Sequence, residues 1–232
     1  MSDDPKTLVS TDWLAAHLKD PDLRILDASW YLPGVERDPR AEYDAAHIPG
    51  ARFFDIDEIS DARSDLPHMA PPAEKFMSRM RAMGVGDGHQ IVVYDGAGIQ
   101  SAPRVWWLFR LMGHRDVAVL DGGLPKWQAE GRPVEDMPPV IKDRHLTVRF
   151  QNHLVRDVTQ VSQAAKLGST QIVDARSARR ACGTGRLLPV RGRRPCASRR
   201  RNGPTEREAC FRLRATAAAG CRASARAAGR PG

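Results

Sequence analysis

Cysteine is missing from the first 178 residues of this 232-residue chain, and all four cysteines lie between positions 182 and 221. A body without cysteine gives no reason to expect an oxidising compartment. No apolar run approaches the ~18 residues of a membrane span, and the first ten residues lack the apolar core of a signal peptide. We therefore expect a cytoplasmic protein without a membrane segment.

The C-terminal stretch, residues 179–232, is poor in the residue types that build a core. It has one Val, no Ile, no Met, no Lys and a single aromatic residue, against fifteen Arg and two acids. This tail carries a formal charge of +13 and residues 1–178 carry −5, which together give the +8 of the whole chain. Such a segment cannot bury enough apolar surface to offset its ordering entropy, so we predict that it is disordered.

A strand, a loop and a helix follow one another in the central stretch 91–113, IVVYDGAGIQSAPRVWWLFRLMG. Ile91–Tyr94 is an apolar run typical of a buried strand, and apolar residues recur at helical spacing from Val105 to Met112. Ser101 is the expected N-cap of that helix. Loop N–H groups beside a helix N-terminus form a cradle for an anion or a cysteine thiolate. The loop has no cysteine and begins with Asp95.

Strands and helices alternate along the body of the chain. This rhythm predicts an α/β fold with a parallel sheet covered by helices on both faces, and ligands at the carboxyl ends of the strands, where the Asp95 loop lies. Trp106 and Trp107 are interpreted as packing residues of the core and a domain interface, in preference to a stacking platform. The predicted strands are 23–27, 52–54, 91–94 and 117–120, and the main predicted helices are 13–18, 73–83, 101–112, 124–129 and 158–167.

The second half of the chain begins to repeat the first. Residues 132–150 are Pro-rich and extended, which is typical of an inter-domain linker. After the helix 158–167, Ile172–Arg176 repeats the pattern of Ile25–Ser29, which indicates an incomplete second copy of the first domain. We divide the chain into a domain at 1–135, a linker at 136–153, the start of the second copy at 154–180 and a disordered tail at 181–232.

Several ordered segments carry a family resemblance: AEYDAAHIPGARFFDIDEISD, then HM, then GVGDGHQIVVYDGAGIQSAPRVWWLFRLMGH, then VAVLDGGLPKWQAEGRPVE. From about Val9 to Arg180 the chain resembles two-domain rhodanese-type sulfurtransferases, and more closely their 3-mercaptopyruvate branch. The resemblance implies rhodanese-like domains, each with a five-stranded parallel sheet. It also implies that the first domain is catalytically degenerate, which agrees with the cysteine-free loop at Asp95. The second domain of the family carries the nucleophile in a loop C-G-[ST]-G-V-[TS]-A.

The resemblance further implies a reaction and its site residues. In the family, the cysteine accepts a sulfane sulfur from 3-mercaptopyruvate or thiosulfate, becomes a persulfide, and passes the sulfur to cyanide or to a thiol acceptor such as thioredoxin. Asp57 and His68 match the segment that supplies an acid–base relay, and Arg180 matches one of two arginines that bind the substrate carboxylate. Without the resemblance, Asp57 is an acid in an acidic loop and His68 a turn histidine. No cofactor, metal, membrane or specific nucleic-acid partner is implied.

Past Arg180 the match stops, and RACGTGRLLPVRGRRPCASRRRNG replaces the expected turn, strand and cysteine loop. Arg without Lys, with abundant Ala, Gly and Pro, is typical of GC-rich codons read out of frame. We interpret the tail as a frameshift product or a strongly diverged end. Cys182-Gly183-Thr184-Gly185 fits half of the family loop, but no hydrophobic strand precedes it, which favours coincidence over a catalytic role.

Two other readings of the tail are weaker. Its four cysteines lack the close pairs typical of zinc sites. Its arginines favour non-specific polyanion binding over an evolved nucleic-acid arm. Two functional hypotheses remain open: a chain of sulfurtransferase lineage that lacks the nucleophile and is inactive or weak, or a non-catalytic rhodanese-like binding module or remnant.

Overall fold

Five parallel strands form the centre of the fold, which we describe from a computed structural model covering residues 2–168 and 170–173. The strands are β1 (Leu8–Val9), β2 (Leu23–Asp27), β3 (Ala51–Phe53), β4 (Gln90–Tyr94) and β5 (Val117–Leu120). They are ordered β1-β5-β4-β2-β3, and every pair is parallel. The predicted parallel α/β fold is therefore confirmed.

Helices connect these strands and cover both faces of the sheet. They are α1 (Thr11–His17), α2 (Pro39–Ala45), α3 (Ala73–Ala82), α4 (Ala102–Leu111) and α5 (Gly123–Ala129). Ser10 caps α1, because its hydroxyl accepts a hydrogen bond from the backbone N–H of Trp13 at 3.1 Å. At α2, Asp38 caps the helix and Pro39 occupies the first helical turn, where a missing N–H costs nothing.

Alternation along each strand divides the core into two layers. In β4, Ile91 and Val93 pack with α3 and α4, whereas Val92 and Tyr94 pack with α1, α2 and α5. The same alternation holds in β2 and β5, so each of these strands is buried on both faces. This double burial explains why the strands read as continuous apolar runs in the sequence.

The segment after α5 is extended and packs along the domain. Leu146 is buried in the layer of α3 and α4. The backbone N–H of Arg149 donates to the Met112 carbonyl at 2.8 Å, and that of Gln151 donates to the Leu111 carbonyl at 2.7 Å. We call residues 132–151 the strap. Its use as a linker between two domains stays a prediction.

The chain divides into two compact units at Asp157 and Val158. In the second unit, the structure describes helix α6 (Val158–Leu167), which has the predicted bounds. Most of the predicted strand at Ile172–Arg176 lies outside the described residues, as do Arg180, Cys182 and the whole tail. Within the described part of the chain, no helix has the length and apolar character that crossing a membrane requires.

Candidate functional site

The carboxyl ends of the strands meet at one edge of the sheet, and the loop after β4 lies there. Asp95 is fully buried at the start of this loop. Its Oδ1 accepts a hydrogen bond from the backbone N–H of Ala97 at 2.9 Å. Its Oδ2 accepts three more, from Gln100 at 2.8 Å, Ser101 at 3.0 Å and Ala102 at 2.9 Å. The anion cradle predicted from the sequence is therefore present, and the Asp95 carboxylate fills it.

The prediction that the Ser101 side chain caps α4 is wrong. Ser101 occupies the N-cap position of α4, but its side chain caps no backbone N–H, and its buried Oγ has no hydrogen-bond partner. The reason lies in its backbone, which is already helical at φ −100° and ψ −27°, whereas a capping side chain needs an extended residue. Asp95 satisfies the first N–H groups of the helix instead.

A second buried acid supports the same loop from β2. The carboxylate of Asp27 accepts hydrogen bonds from the backbone N–H of Ser29 at 2.8 Å and from its hydroxyl at 2.5 Å. The Ser29 hydroxyl in turn accepts the Gly96 N–H at 2.8 Å. Burial raises the pKa of Asp27 above its ordinary value, and the Ser29 hydrogen bonds oppose that shift. This chain of contacts fixes the start of the Asp95 loop against β2.

Asp57 and His68, the two predicted relay residues in the described part of the chain, lie in direct contact. His68 Nε2 is 2.6 Å from Asp57 Oδ1. The Nε1–H of Trp30 donates to both carboxylate oxygens, at 3.1 Å and 3.2 Å. The Trp30 and His68 rings meet edge to face, with centroids 4.8 Å apart. Because a carboxylate can only accept, a neutral His68 carries its proton on Nε2 and leaves the Nδ1 lone pair free.

The backbone around His68 is unusual and is held by an arginine. His68 is the one non-glycine residue with positive φ, 57°, in the part of the chain that the structure describes. Its carbonyl accepts a hydrogen bond from Nη2 of Arg104, in the first turns of α4. Arg104 Nε is buried without a partner, and burial lowers the pKa of this guanidinium, an effect that Asp57 opposes.

A cavity of about 320 Å³ opens beside the Asp57–His68 pair. One wall is apolar, and the rest is formed by side chains that can donate or accept hydrogen bonds. Leu32, which lines the cavity, is 54% exposed, and Ile99, in the Asp95 loop, is 45% exposed. The cavity is lined by Trp30, Leu32, Ile56, His68, Gln100, Ser101 and Arg104.

The described side chains of this site can transfer a proton, and none of them is a cysteine. His68 lines the cavity and its Nδ1 makes no hydrogen bond to a described residue, so it is placed to accept a proton from a bound molecule. All four cysteines lie outside the described residues. No group of three or more His, Cys, Asp or Glu that could hold a metal occurs among the described side chains.

Sequence reasoning found two members of this site and missed two. It named Asp57 and His68, although their catalytic roles stay predictions, as does carboxylate binding by Arg180. It did not find Trp30 or Arg104. Trp30 follows the end of β2 by three residues, where side chains reach the ligand edge of a parallel sheet, and this position was a usable signal. No sequence signal connects Arg104 to a carbonyl 36 residues away.

This fold and this loop define a rhodanese-like domain. A family model described as "Rhodanese-like domain" matches residues 10–130, more than half of the chain, and the chain belongs to this family. Thiosulfate/3-mercaptopyruvate sulfurtransferase 1 of Arabidopsis thaliana is 44% identical over 198 residues, covering 76% of this chain and 52% of that protein. The 3-mercaptopyruvate sulfurtransferase of Escherichia coli is 42% identical over 173 residues, covering 74% and 62%.

Solved structures give the same relationship. SseA from Escherichia coli, a 3-mercaptopyruvate sulfotransferase, superposes with a TM-score of 0.73 at 40% identity, covering 78% of this chain and 70% of that one. The Tum1 protein from Saccharomyces cerevisiae gives 0.71 at 28% identity, covering 81% and 66%. The chain spans only about half to three fifths of the length of the two curated relatives named above. Its lineage is that of the two-domain 3-mercaptopyruvate and thiosulfate sulfurtransferases.

Proposed function

We propose that the first unit of this chain is the acid–base half of a sulfurtransferase. The complete enzyme would move sulfane sulfur from 3-mercaptopyruvate or thiosulfate to cyanide or to a thiol such as that of thioredoxin, through a cysteine persulfide on a second domain. The observation that carries the proposal is the contact of 2.6 Å between His68 Nε2 and Asp57 Oδ1 at the wall of the cavity. Asp57 is 66% exposed, and such an exposed pair contributes little to stability.

The chemistry of 3-mercaptopyruvate needs such a pair. A cysteine thiolate attacks the substrate sulfur, the carbon–sulfur bond breaks, and the electron pair remains on carbon as the enolate of pyruvate. The thiol proton of the substrate must leave sulfur and a proton must arrive at that carbon, so that the products are an enzyme persulfide and pyruvate. His68 Nδ1 can take the proton and return it, while Asp57 stabilises the imidazolium that forms in between.

Thiosulfate makes no such demand. The thiolate attacks its outer sulfur, the sulfur–sulfur bond breaks, and sulfite leaves with the electron pair, so no proton moves. In the same way, cyanide removes sulfur from the persulfide and regenerates the thiolate without proton transfer. The two donors therefore separate the role of Asp57 and His68 from the general integrity of the protein.

The test is a chimera that joins residues 1–157 of this chain to the second domain of the Escherichia coli 3-mercaptopyruvate sulfurtransferase. We expect His68→Gln and Asp57→Asn to lower kcat/KM for 3-mercaptopyruvate by about 10²-fold or more, the usual contribution of a general acid–base. We expect thiosulfate turnover to change by less than about threefold, because no proton moves in that reaction. Equal losses with both donors would refute the acid–base role.

Whether the chain itself transfers sulfur is a separate question. We propose that it lacks the family nucleophile and is inactive or weak, because the residues after Arg180 match at most half of the family cysteine loop, at Cys182–Gly185, and no hydrophobic strand precedes them. Sulfur transfer by the full chain that is lost in Cys182→Ser would refute this proposal. Sequencing the coding DNA from about codon 165 and translating all three frames would reveal whether another frame restores the cysteine loop.

The second candidate is a non-catalytic binding module. It is favoured by the Asp95 loop, in which an internal carboxylate occupies the position of an external anion. The exposed side chains of Leu32, which lines the cavity, and Ile99, in the Asp95 loop, would then contact a protein partner. Cooperative unfolding of residues 1–157 alone, together with no sulfur transfer by the full chain, would support this alternative.

A further inference from the structure

Two residues outside the predicted relay, Trp30 and Arg104, hold Asp57 and His68 in place. The conformational free energy that this arrangement costs is not explained by a gain in protein stability. Trp30 donates its single N–H to both oxygens of Asp57. Arg104 donates to the carbonyl of His68, a residue whose left-handed backbone is strained. The pair held in this way is partly exposed, and pairs of that kind contribute little to stability.

The two contacts fix different degrees of freedom. The Nε1–H of Trp30 is shared between both carboxylate oxygens of Asp57 and fixes the rotation of that carboxylate, so that Oδ1 faces His68 Nε2. The contact from Arg104 fixes the backbone from which the His68 side chain leaves, and the Trp30 ring limits the rotation of the imidazole. Together they hold Nε2 of His68 against the carboxylate of Asp57.

We propose that Trp30 and Arg104 are positioning residues for the Asp57–His68 pair, and that they select the Nε2–H tautomer of His68. The proposal rests on the proposed function for its purpose. Its geometry is independent of sulfur transfer, because the tautomer of His68 exists whether or not a nucleophile is present. A merely structural role for the two residues would leave the tautomer unchanged.

The experiment measures the imidazole ¹⁵N shifts of His68 in the full chain, labelled at histidine, at a pH where the ring is neutral. We expect a single Nε2–H tautomer in the unsubstituted protein. Trp30→Phe keeps an aromatic ring and removes the N–H, and Arg104→Gln removes the guanidinium. We expect each to raise the Nδ1–H population at least about fivefold, the factor that one net hydrogen bond contributes.

Matched controls come from α4 itself. Trp106 and Arg110 donate from the same kinds of side chain to the carbonyl of Lys6, at 3.1 Å and 3.3 Å, and do not contact His68. Trp106→Phe and Arg110→Gln should therefore leave the tautomer unchanged. Arg104→Lys keeps a cationic donor of similar length and should preserve the Nε2–H form, which keeps the test available if Arg104→Gln fails to fold.

The possible results distinguish a positioning role from a structural role, and the failure of this proposal from the failure of the proposed function. An unchanged tautomer in folded Trp30→Phe and Arg104→Gln would overturn the proposal and leave both residues with a structural role only. A shift in both of these variants and in neither control would support it. The proposed function fails independently, if the chimera loses activity equally with both sulfur donors while the His68 shifts behave as expected.

Discussion

Oδ2 of Asp95 lies 2.9 Å from the backbone nitrogen of Ala102, the first residue of α4. The same carboxylate accepts three further backbone N–H groups of the loop. A positive helix end that could attract an external anion is thereby neutralised from within the chain. The loop is therefore held together by a carboxylate of its own chain.

Replacing Asp95 by Ala should destabilise the protein. The change leaves four backbone N–H groups without their acceptor, two of them on buried residues, and we expect a loss of about 2–4 kcal/mol in the free energy of unfolding. Chemical denaturation measures it. Asp121→Ala is the control, because Asp121 also follows a strand but forms only a partly exposed ion pair with Lys126, so we expect less than about 1 kcal/mol. Equal losses would contradict the capping role.

Replacing Asp95 by Cys should create a thiolate of unusual acidity. The sulfur would lie among N–H groups at a helix N-terminus, and such thiols have pKa values of about 3.5–7.5. The measurement is the thiolate absorbance as a function of pH in the chain truncated after Asp157, where no other cysteine is present. A thiol that titrates at its usual value of about 8.5 would show that the cradle does not stabilise an anion.

Gly123 should tolerate no side chain, because the loop after β5 lies against the backbone of the Asp95 loop at this residue. It has φ +56°, and a Cβ there would lie 2.4 Å from the Asp95 carbonyl oxygen. Gly131 has a similar φ of +67° with open space around it. Both Gly→Ala changes bear the left-handed backbone cost, so we expect Gly123→Ala to be worse by about 1–3 kcal/mol, the overpacking contribution. Similar melting temperatures for the two variants would rule out the close approach.

His89 should make the protein less stable in mild acid. Its buried Nδ1 accepts the Gly86 N–H at 2.9 Å. Burial lowers the pKa of His89, and Arg24, Arg144 and Arg52 lower it further against the opposing charge of Asp22. A base with a depressed folded-state pKa stabilises the fold above its unfolded-state pKa of about 6.5, and this contribution is lost as the pH falls towards the folded-state value.

The substitution that tests this effect is His89→Asn, which keeps an acceptor near the position of Nδ1 and does not titrate. We expect the unfolding free energy of this variant to fall less between pH 7 and pH 5 than that of the unsubstituted protein. His153→Asn, at an exposed position, is the control and should not alter the pH dependence. Parallel curves for His89→Asn and the unsubstituted protein would refute the prediction.

Local patterns predicted most of the fold. The strands β2, β4 and β5 and helix α6 lie where their apolar runs and periodicity indicated, because each is bounded by residues that end regular structure. The cap of α4 could not be predicted in the same way. Its acceptor, Asp95, lies seven residues before Ala102, and the contact exists only once the loop has folded back on itself.

The candidate site also contains some residues that could be found from the sequence and others that only the tertiary structure brings into it. Asp57 and His68 were named through resemblance, and they lie in contact across eleven residues. Their catalytic roles stay predictions. Arg104 contacts His68 across 36 residues, a pairing that depends on the tertiary fold. The packing of Leu146 was missed because its segment was interpreted as a linker, although Leu146, Val148 and Phe150 alternate with polar residues.

The strap has a consequence for where this domain ends. The match to the family model ends at residue 130, but Leu146 is buried in the core and the Arg149 N–H donates to the carbonyl of Met112, just after α4, well beyond that point. A chain cut at that point would lose Leu146 from its hydrophobic core and leave the carbonyls of Leu111 and Met112 without their donors. The compact unit of this protein is therefore longer than the segment that the family model recognises.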